Sequence, residues 1–201
     1  VPVSVDFEDG FASEPEAVAA NVERLVPAGV AGLSIEDYTR DPDAPIHEVG
    51  LAAERVAAAA ETAHSGPARL VLTARTELLT ARAGRNREES DTLGEVIGRL
   101  QRYQNAGADV LFAPGLRTRA EIATIVSAVD LPVSVMALPG IPSVAELGEL
   151  GVARVSVAGW LAYAAMDGLR SAALEVIEHG TFGFTERLGP IRSVVAETHG
   201  P

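Results

Sequence analysis

The sequence contains neither cysteine nor lysine. Without cysteine there are no disulfides, no thiolate metal sites and no sulfur nucleophile. Without lysine there is no Schiff base to a carbonyl substrate and no Gly-Lys phosphate loop. All 16 basic residues are arginine, against 28 Asp and Glu, so the formal net charge is −12. That balance argues against nucleic acid or an anionic membrane surface as a partner. It leaves room for a small anionic substrate, because a bound divalent metal inverts the local field. Long apolar runs are missing as well. None approaches the roughly 20 residues needed to span a bilayer. The first ten residues lack the basic and apolar regions of a signal peptide, so a cytoplasmic location is expected.

What is present fits one domain with a sizeable core: 201 residues, 47% of them hydrophobic. The chain opens in "VPVSVDFEDG" with no starting methionine, and is expected to be incomplete at its N-terminus. Val1, Val3, Val5 and Phe7 alternate with Pro2, Ser4, Asp6 and Glu8, the period of a two-faced strand. Alternation puts Asp6 and Glu8 on one face, where like charges need a compensating cation or proton.

Strand-like and helix-like segments then alternate. Ser13 is a plausible N-cap before "EPEAVAANVERLVPAG", and the strand "VAGLSIED" follows. The Ala-rich helix "HEVGLAAERVAAAAETAHSG" precedes "ARLVLTARTE", and "ESDTLGEVIGRLQRYQNAG" precedes "ADVLFAPG". "TRAEIATIVSAV" leads to "LPVSVMALPG", and "SVAELGELG" to "VARVSVAG". A last helix covers roughly 160–178, and a tail containing "GTFGFTERLG" follows. Gly29, Gly107 and Gly151 stand where left-handed helix C-caps are expected.

Six βα units imply a parallel sheet, open or closed into a (β/α)8 TIM barrel. Alternation decides between them. One face collects Ser4, Asp6, Glu8, Ser34, Glu36, Thr73, Arg75, Glu77, Ser134 and Ser156. The other collects Val3, Val5, Phe7, Leu33, Ile35, Leu70, Leu72, Ala74, Val133, Val135 and Ala137. Central strands of an open sheet are apolar on both faces, whereas a polar face shared by five strands needs a common lumen. A barrel is expected, with two of its eight strands missing upstream.

Asp6, Glu8 and Glu36 end two successive strands on the inward face. Oxygen donors without nearby His or Cys suit Mg²⁺ or Mn²⁺; the plainer alternative is that they cap helices or pair with Arg. Arg75 can hold a carboxylate bidentately, or form a salt bridge to Glu8 or Glu36. Glu77 is either its partner or the start of a solvated loop. His47, His64, His179 and His199 lack metal-ligand spacing and read as surface or capping residues. "FAPG" and "ALPG" read as turns, residues 81–91 as a solvated loop, and Trp160 with Tyr163 as a packing pair.

These segments resemble the isocitrate lyase/phosphoenolpyruvate mutase superfamily, in order and over nearly the whole chain. The carriers are "PVSVDFEDGF", "GVAGLSIED", "LTARTE", "NAGADVLFAPG", "LPVSVMALPGIPSVAELGELGVARVS" and "GTFGF". The resemblance is to the small bacterial branch of that superfamily. It implies a TIM barrel, a homo-oligomer (dimer or tetramer) that exchanges a C-terminal helix, here about 177–201, and Mg²⁺-assisted chemistry beside a 2-oxo acid. It assigns Asp6, Glu8 and Glu36 to the metal and Arg75 to the substrate, with Glu36 and Arg75 catalytic. "YTRDPDAPIHEVG" replaces the Lys-Cys loop of isocitrate and methylisocitrate lyases, so neither activity is expected. The expected function is a C–C lyase or decarboxylase acting on a small 2-oxo or 2-hydroxy carboxylate through an enolate. A phosphonopyruvate-type mutase or hydrolase and a non-catalytic binding barrel are the alternatives.

Overall fold

The computed structural model describes residues 1–66, 68–81 and 92–199; most of the anticipated solvated loop lies outside them. The chain divides into two compact units, Val1–Ser156 and Val157–Pro201.

The first unit alternates strand and helix. The order is β1 (Ser4–Asp6), α1 (Pro15–Glu23), β2 (Gly32–Glu36), α2 (Val49–Ser65), β3 (Val71–Arg75), α3 (Leu78–Ala81), α4 (Thr92–Asn105), β4 (Val110–Phe112), α5 (Arg119–Ala128), β5 (Val133–Met136), α6 (Val144–Glu149) and β6 (Arg154–Ser156). All neighbouring strands are parallel, and spatial order equals chain order. The sheet is curled. Three spacings of about 4.8 Å would part β3 from β6 by roughly 14 Å in a flat sheet. Instead Arg154 Nη1 on β6 donates to Thr73 Oγ1 on β3 at 3.2 Å. Among the described residues the arc has the six strands read from the sequence, a curled half-barrel rather than a closed eight-stranded one.

The two-faced alternation places the core. Leu33, Ile35, Leu72, Ala74, Val133 and Val135 are buried against Val18, Val22, Val56, Ala59, Ala60, Val96, Leu100, Ile122 and Ile125 from the helices. Aliphatic burial of this kind contributes about 25 cal/mol per Å². Helix starts are built locally. Thr118 with Glu121, and Ser143 with Glu146, form reciprocal capping boxes on α5 and α6. Gly29, Gly107 and Gly151 adopt φ of +72°, +97° and +86°, as expected for left-handed closures.

Two expectations need correction. The N-cap of α1 is Glu14, not Ser13, with Pro15 at the first helical position. More consequentially, β1 stops at Asp6, and Glu8 has φ +48°. That left-handed residue breaks the alternation, so Glu8 leaves the strand rather than extending the face of Asp6.

At the sheet's N-terminal side, Asp109 joins three elements. It accepts from His64 Nε2 at 2.9 Å, Arg69 Nη2 at 2.5 Å and the Leu72 amide at 2.8 Å. Burial pushes its carboxyl up, but the Leu72 amide, His64 and Arg69 outweigh it and hold the group below its ordinary value. A depressed carboxyl stabilises the fold above its unfolded pKa and loses that contribution as pH falls through the folded one. Asp109→Asn is therefore expected to destabilise the protein by about 1 kcal/mol at neutral pH. The deficit should shrink below about pH 4, as checked by urea unfolding at both pH values.

In the second unit, α7 (Trp160–Leu174) runs into a wider turn at Glu175–His179 and stops at Gly180, φ +63°. Glu175 accepts from Thr181 Oγ1 at 2.8 Å and from the amides of Gly183 and Phe184 at 2.5 and 3.1 Å. These bonds shape "GTFGF" before α8 (Gly189–His199). Trp160 and Tyr163 pack edge to face at 5.9 Å between ring centroids. No described helix is long and apolar enough to cross a membrane.

Candidate active site

The concave face of the sheet is polar and receives side chains from every strand. Ser4, Asp6, Ser34, Thr73, Arg75, Phe112, Ser134, Arg154 and Ser156 line a cavity of about 120 Å³. A second recess of about 350 Å³ lies beside it, bounded by Glu36, Tyr38, Arg75, Glu77 and Thr80. Arg75 belongs to both.

Arg75 is the centre of the charge arrangement. Its Nε donates to Glu77 and lies 3.2 Å from Glu36 Oε2; its Nη1 lies 3.4 Å from Asp6 Oδ2. Its guanidinium carbon sits 5.4 Å from the Phe112 ring centroid, a cation–π arrangement. Register explains the gathering: Asp6 pairs with Ser34, and Glu36 with Arg75, across parallel ladders. Ser34 Oγ also donates to Asp6 Oδ1 at 3.0 Å. Burial lowers the affinity of Arg75 for its proton, but Glu77, Glu36 and Asp6 more than reverse this. Burial pushes Glu36 up most; Arg75 pulls it down, and Glu77, Asp6 and Glu8 push again, to about 7.

Three carboxylates thus share one guanidinium, and the cluster carries excess negative charge. Its donors are oxygens only, the chemistry of a hard divalent cation. Among the described residues no three Asp, Glu or His side chains close on a common point. Mg²⁺ is commonly held through one or two carboxylates and several waters, so this donor set fits it. Asp6, with its side chain 65% exposed, is the accessible member. Glu8 stands apart from the other acids in its pairing: its carboxylate meets Arg40.

A buried network behind the rim positions these groups. In "IED" Glu36 faces the recess, whereas Asp37 turns the other way and is 2% exposed. Asp37 Oδ2 accepts from Tyr103 Oη at 2.6 Å and Arg99 Nη1 at 3.1 Å, while Oδ1 accepts from the Glu77 amide at 2.8 Å. Burial, then Asp37, pushes the Tyr103 hydroxyl far above its ordinary value, so it stays a donor. Thr80 Oγ1 donates to the Glu77 carboxylate as well.

Sequence reasoning brought Asp6, Glu36 and Arg75 together, and the structure places them together. It left Glu77 open; the structure makes it a partner of Arg75. It missed Asp37, whose signal was a carboxylate at an apolar-face position. It also missed Arg154, two residues before Ser156 and on the same face of the strand. Arg154 is exposed, and its guanidinium has no carboxylate partner among the described residues.

A curled parallel sheet with acids and arginine at its strand ends defines an α/β half-barrel with a charged recess at the C-terminal rim, the end where barrel enzymes carry their sites. A profile of the phosphoenolpyruvate phosphomutase family matches residues 1–177, and the chain belongs to that family. A Burkholderia cenocepacia protein, provisionally assigned as a lyase/mutase, is 41% identical with a TM-score of 0.89, covering 100% of this chain and 71% of its own. Oxaloacetate decarboxylase of Rhodopseudomonas palustris is 36% identical over 150 residues, 74% of this chain and 48% of that protein. A structure of oxaloacetate acetylhydrolase with its product oxalate is 25% identical with a TM-score of 0.79, covering 95% of this chain and 65% of its own. The chain spans about half the length of the curated relatives it matches.

Proposed function

We propose that this chain carries the metal and substrate site of a Mg²⁺-dependent C–C lyase or decarboxylase acting on a small 2-oxo dicarboxylate. The observation that carries the reading is the cluster of Asp6, Glu36 and Glu77 around Arg75 at the strand ends. Similarity to oxaloacetate-processing relatives supports the substrate class.

Asp6 and Glu36 would hold Mg²⁺, directly or through waters, with Glu8 at the rim. The ion would supply Lewis-acid stabilisation of charge developing on the 2-oxo group. Arg75 holds the carboxylate beside that group, its plane fixed by Glu77 and Phe112. Decarboxylation breaks the bond from C3 to the distal carboxylate and leaves the electron pair on the C3–C2–O system as an enolate. A proton taken up at C3 completes turnover. Arrangement before the reaction is the catalytic contribution of such groups, since they need no reorganisation as charge moves.

Arg154 is the arginine of the same cavity with no carboxylate on it among the described residues, and it suits the distal carboxylate. A lost charge-assisted hydrogen bond amounts to about 1.5–3 kcal/mol. Arg154→Met is therefore expected to raise KM for oxaloacetate about 10–100-fold with a smaller change in kcat. Steady-state kinetics on that substrate check it, with pyruvate, the product that lacks the distal carboxylate, as an inhibitor whose inhibition constant should not change.

The reading as a whole is tested by calorimetric titration of oxalate, an enolate mimic, with and without Mg²⁺. Binding that requires Mg²⁺ and disappears in Glu36→Ala is expected. Binding indifferent to Mg²⁺ and to Glu36 would point to a barrel that binds anions without this chemistry.

A further inference from the structure

The loop joining β1 to α1 follows an uncommon path. Glu8 and Phe11 adopt φ of +48° and +55°, and Gly10 between them +70°. Two L side chains in the left-handed region within four residues are strained, and such a path persists only where its surroundings over-determine it. Gly10 is fitted closely: a Cβ there would meet Val18 Cγ1 at 3.1 Å and Ile35 Cδ1 at 3.3 Å. Asn21 Nδ2 donates to the Gly10 carbonyl at 2.9 Å.

The strongest hold comes from another element. Arg55, in the middle of α2, is fully buried. Its Nη1 donates to the carbonyls of Ala12 and, at 2.8 Å, Ser13; its Nη2 donates to the carbonyl of Asp9. Its Nε, also buried, has no hydrogen-bond partner among the described residues. All three bonds of this buried cation therefore go to one loop, while one of its own N–H groups is left unmet. A cation buried at that disadvantage does more for the loop than for its own helix. The loop it holds carries Glu8 and Asp9, which both face Arg40.

We propose that Arg55 is the positioning residue of the β1–α1 loop, fixing the strained backbone that presents the Glu8 carboxylate at the rim of the site. The proposal rests on the reading of that rim as a metal and oxo-acid site. The fork geometry of arginine is required. Two terminal nitrogens span the carbonyls of Asp9 and of Ala12 with Ser13, which the single compact ammonium of lysine cannot bridge.

The test follows amide hydrogen exchange and Mn²⁺ binding in the whole chain, for the natural protein, Arg55→Leu and Arg55→Lys. In Arg55→Leu the Gly10 amide, which donates to the Phe7 carbonyl at 2.8 Å, should exchange at least tenfold faster. Mn²⁺ should bind at least tenfold more weakly, while the amides of Leu33 and Ile35 keep their rates. Arg55→Lys should fall between. A residue of general structural value would change all three amides together and leave Mn²⁺ affinity per folded molecule alone. Unchanged exchange at Gly10, or faster exchange with Mn²⁺ affinity within twofold, overturns the proposal. If Arg55→Leu does not fold, Arg55→Lys decides by the same comparison. A natural protein that takes up no Mn²⁺ removes the metal reading instead, and exchange at Gly10 then decides the role of Arg55 by itself.

Discussion

Replacing Asp37 by alanine is expected to lower stability by about 3–5 kcal/mol, the range for breaking a buried ion pair from one side. Asp37 is 2% exposed and answers three donors from two directions: Tyr103 and Arg99 on α4, and the Glu77 amide after β3. Its removal leaves the Arg99 guanidinium, 14% exposed, without its carboxylate, and leaves the Tyr103 O–H and the Glu77 N–H without an acceptor in the core. For a chain of this size the loss corresponds to roughly 6–20 °C in Tm. The effect should reach the site, because the Glu77 backbone loses its anchor and Glu77 holds Arg75. Asp37→Asn keeps shape and one acceptor but not charge, so it should recover part of the stability. Thermal unfolding of both variants, with oxalate affinity measured below each transition, separates the two consequences. A Tm within 2 °C of the natural protein for Asp37→Ala would refute the account of Asp37 as a buried junction.

The legible part of this molecule was the part governed by alternation. Strand residues 33–36 and 71–75 show period 2, and that period alone divided Leu33 and Ile35 from Ser34 and Glu36, and Leu72 and Ala74 from Thr73 and Arg75. The same rule failed at Glu8, because a single left-handed residue reverses the direction of everything after it. Nothing in "DFEDGF" announces that Glu8 rather than Asp9 or Gly10 takes that conformation first. Asp37 and Arg55 were obscured for a different reason. Each is a charged side chain on a buried face, where its partners come from segments distant in sequence. Arg55 lies on the α2 face that also buries Ala52, Val56 and Ala59, so its burial agrees with helical spacing. What spacing could not give was the identity of the carbonyls that satisfy it. Those belong to a loop more than 40 residues earlier.

Arg75→Met should reduce kcat/KM for the preferred oxo acid by at least about 10³-fold, some 4 kcal/mol of transition-state stabilisation. The size follows from the number of roles that meet on one side chain. Its guanidinium bridges Glu77, Glu36 and Asp6 and sits 5.4 Å from the Phe112 ring centroid. Methionine keeps much of the apolar contact with Phe112 and removes the rest. The informative part is the direction of the metal response. Arg75 and a divalent ion are drawn to the same carboxylates, so removing the guanidinium removes a competitor and adds net negative charge at the cluster. Mn²⁺ should bind Arg75→Met as tightly as the natural protein or more tightly, while oxalate binding in the presence of Mn²⁺ is lost. Arg75→Lys keeps the charge but not the bidentate fork, and should retain Mn²⁺ affinity close to the natural value with only weak oxalate binding. If Arg75→Met instead loses Mn²⁺ and oxalate together, Arg75 is holding the acids in place rather than holding the substrate. The carboxylate-binding role would then pass to Arg154, whose side chain lines the same cavity and has no carboxylate partner among the described residues.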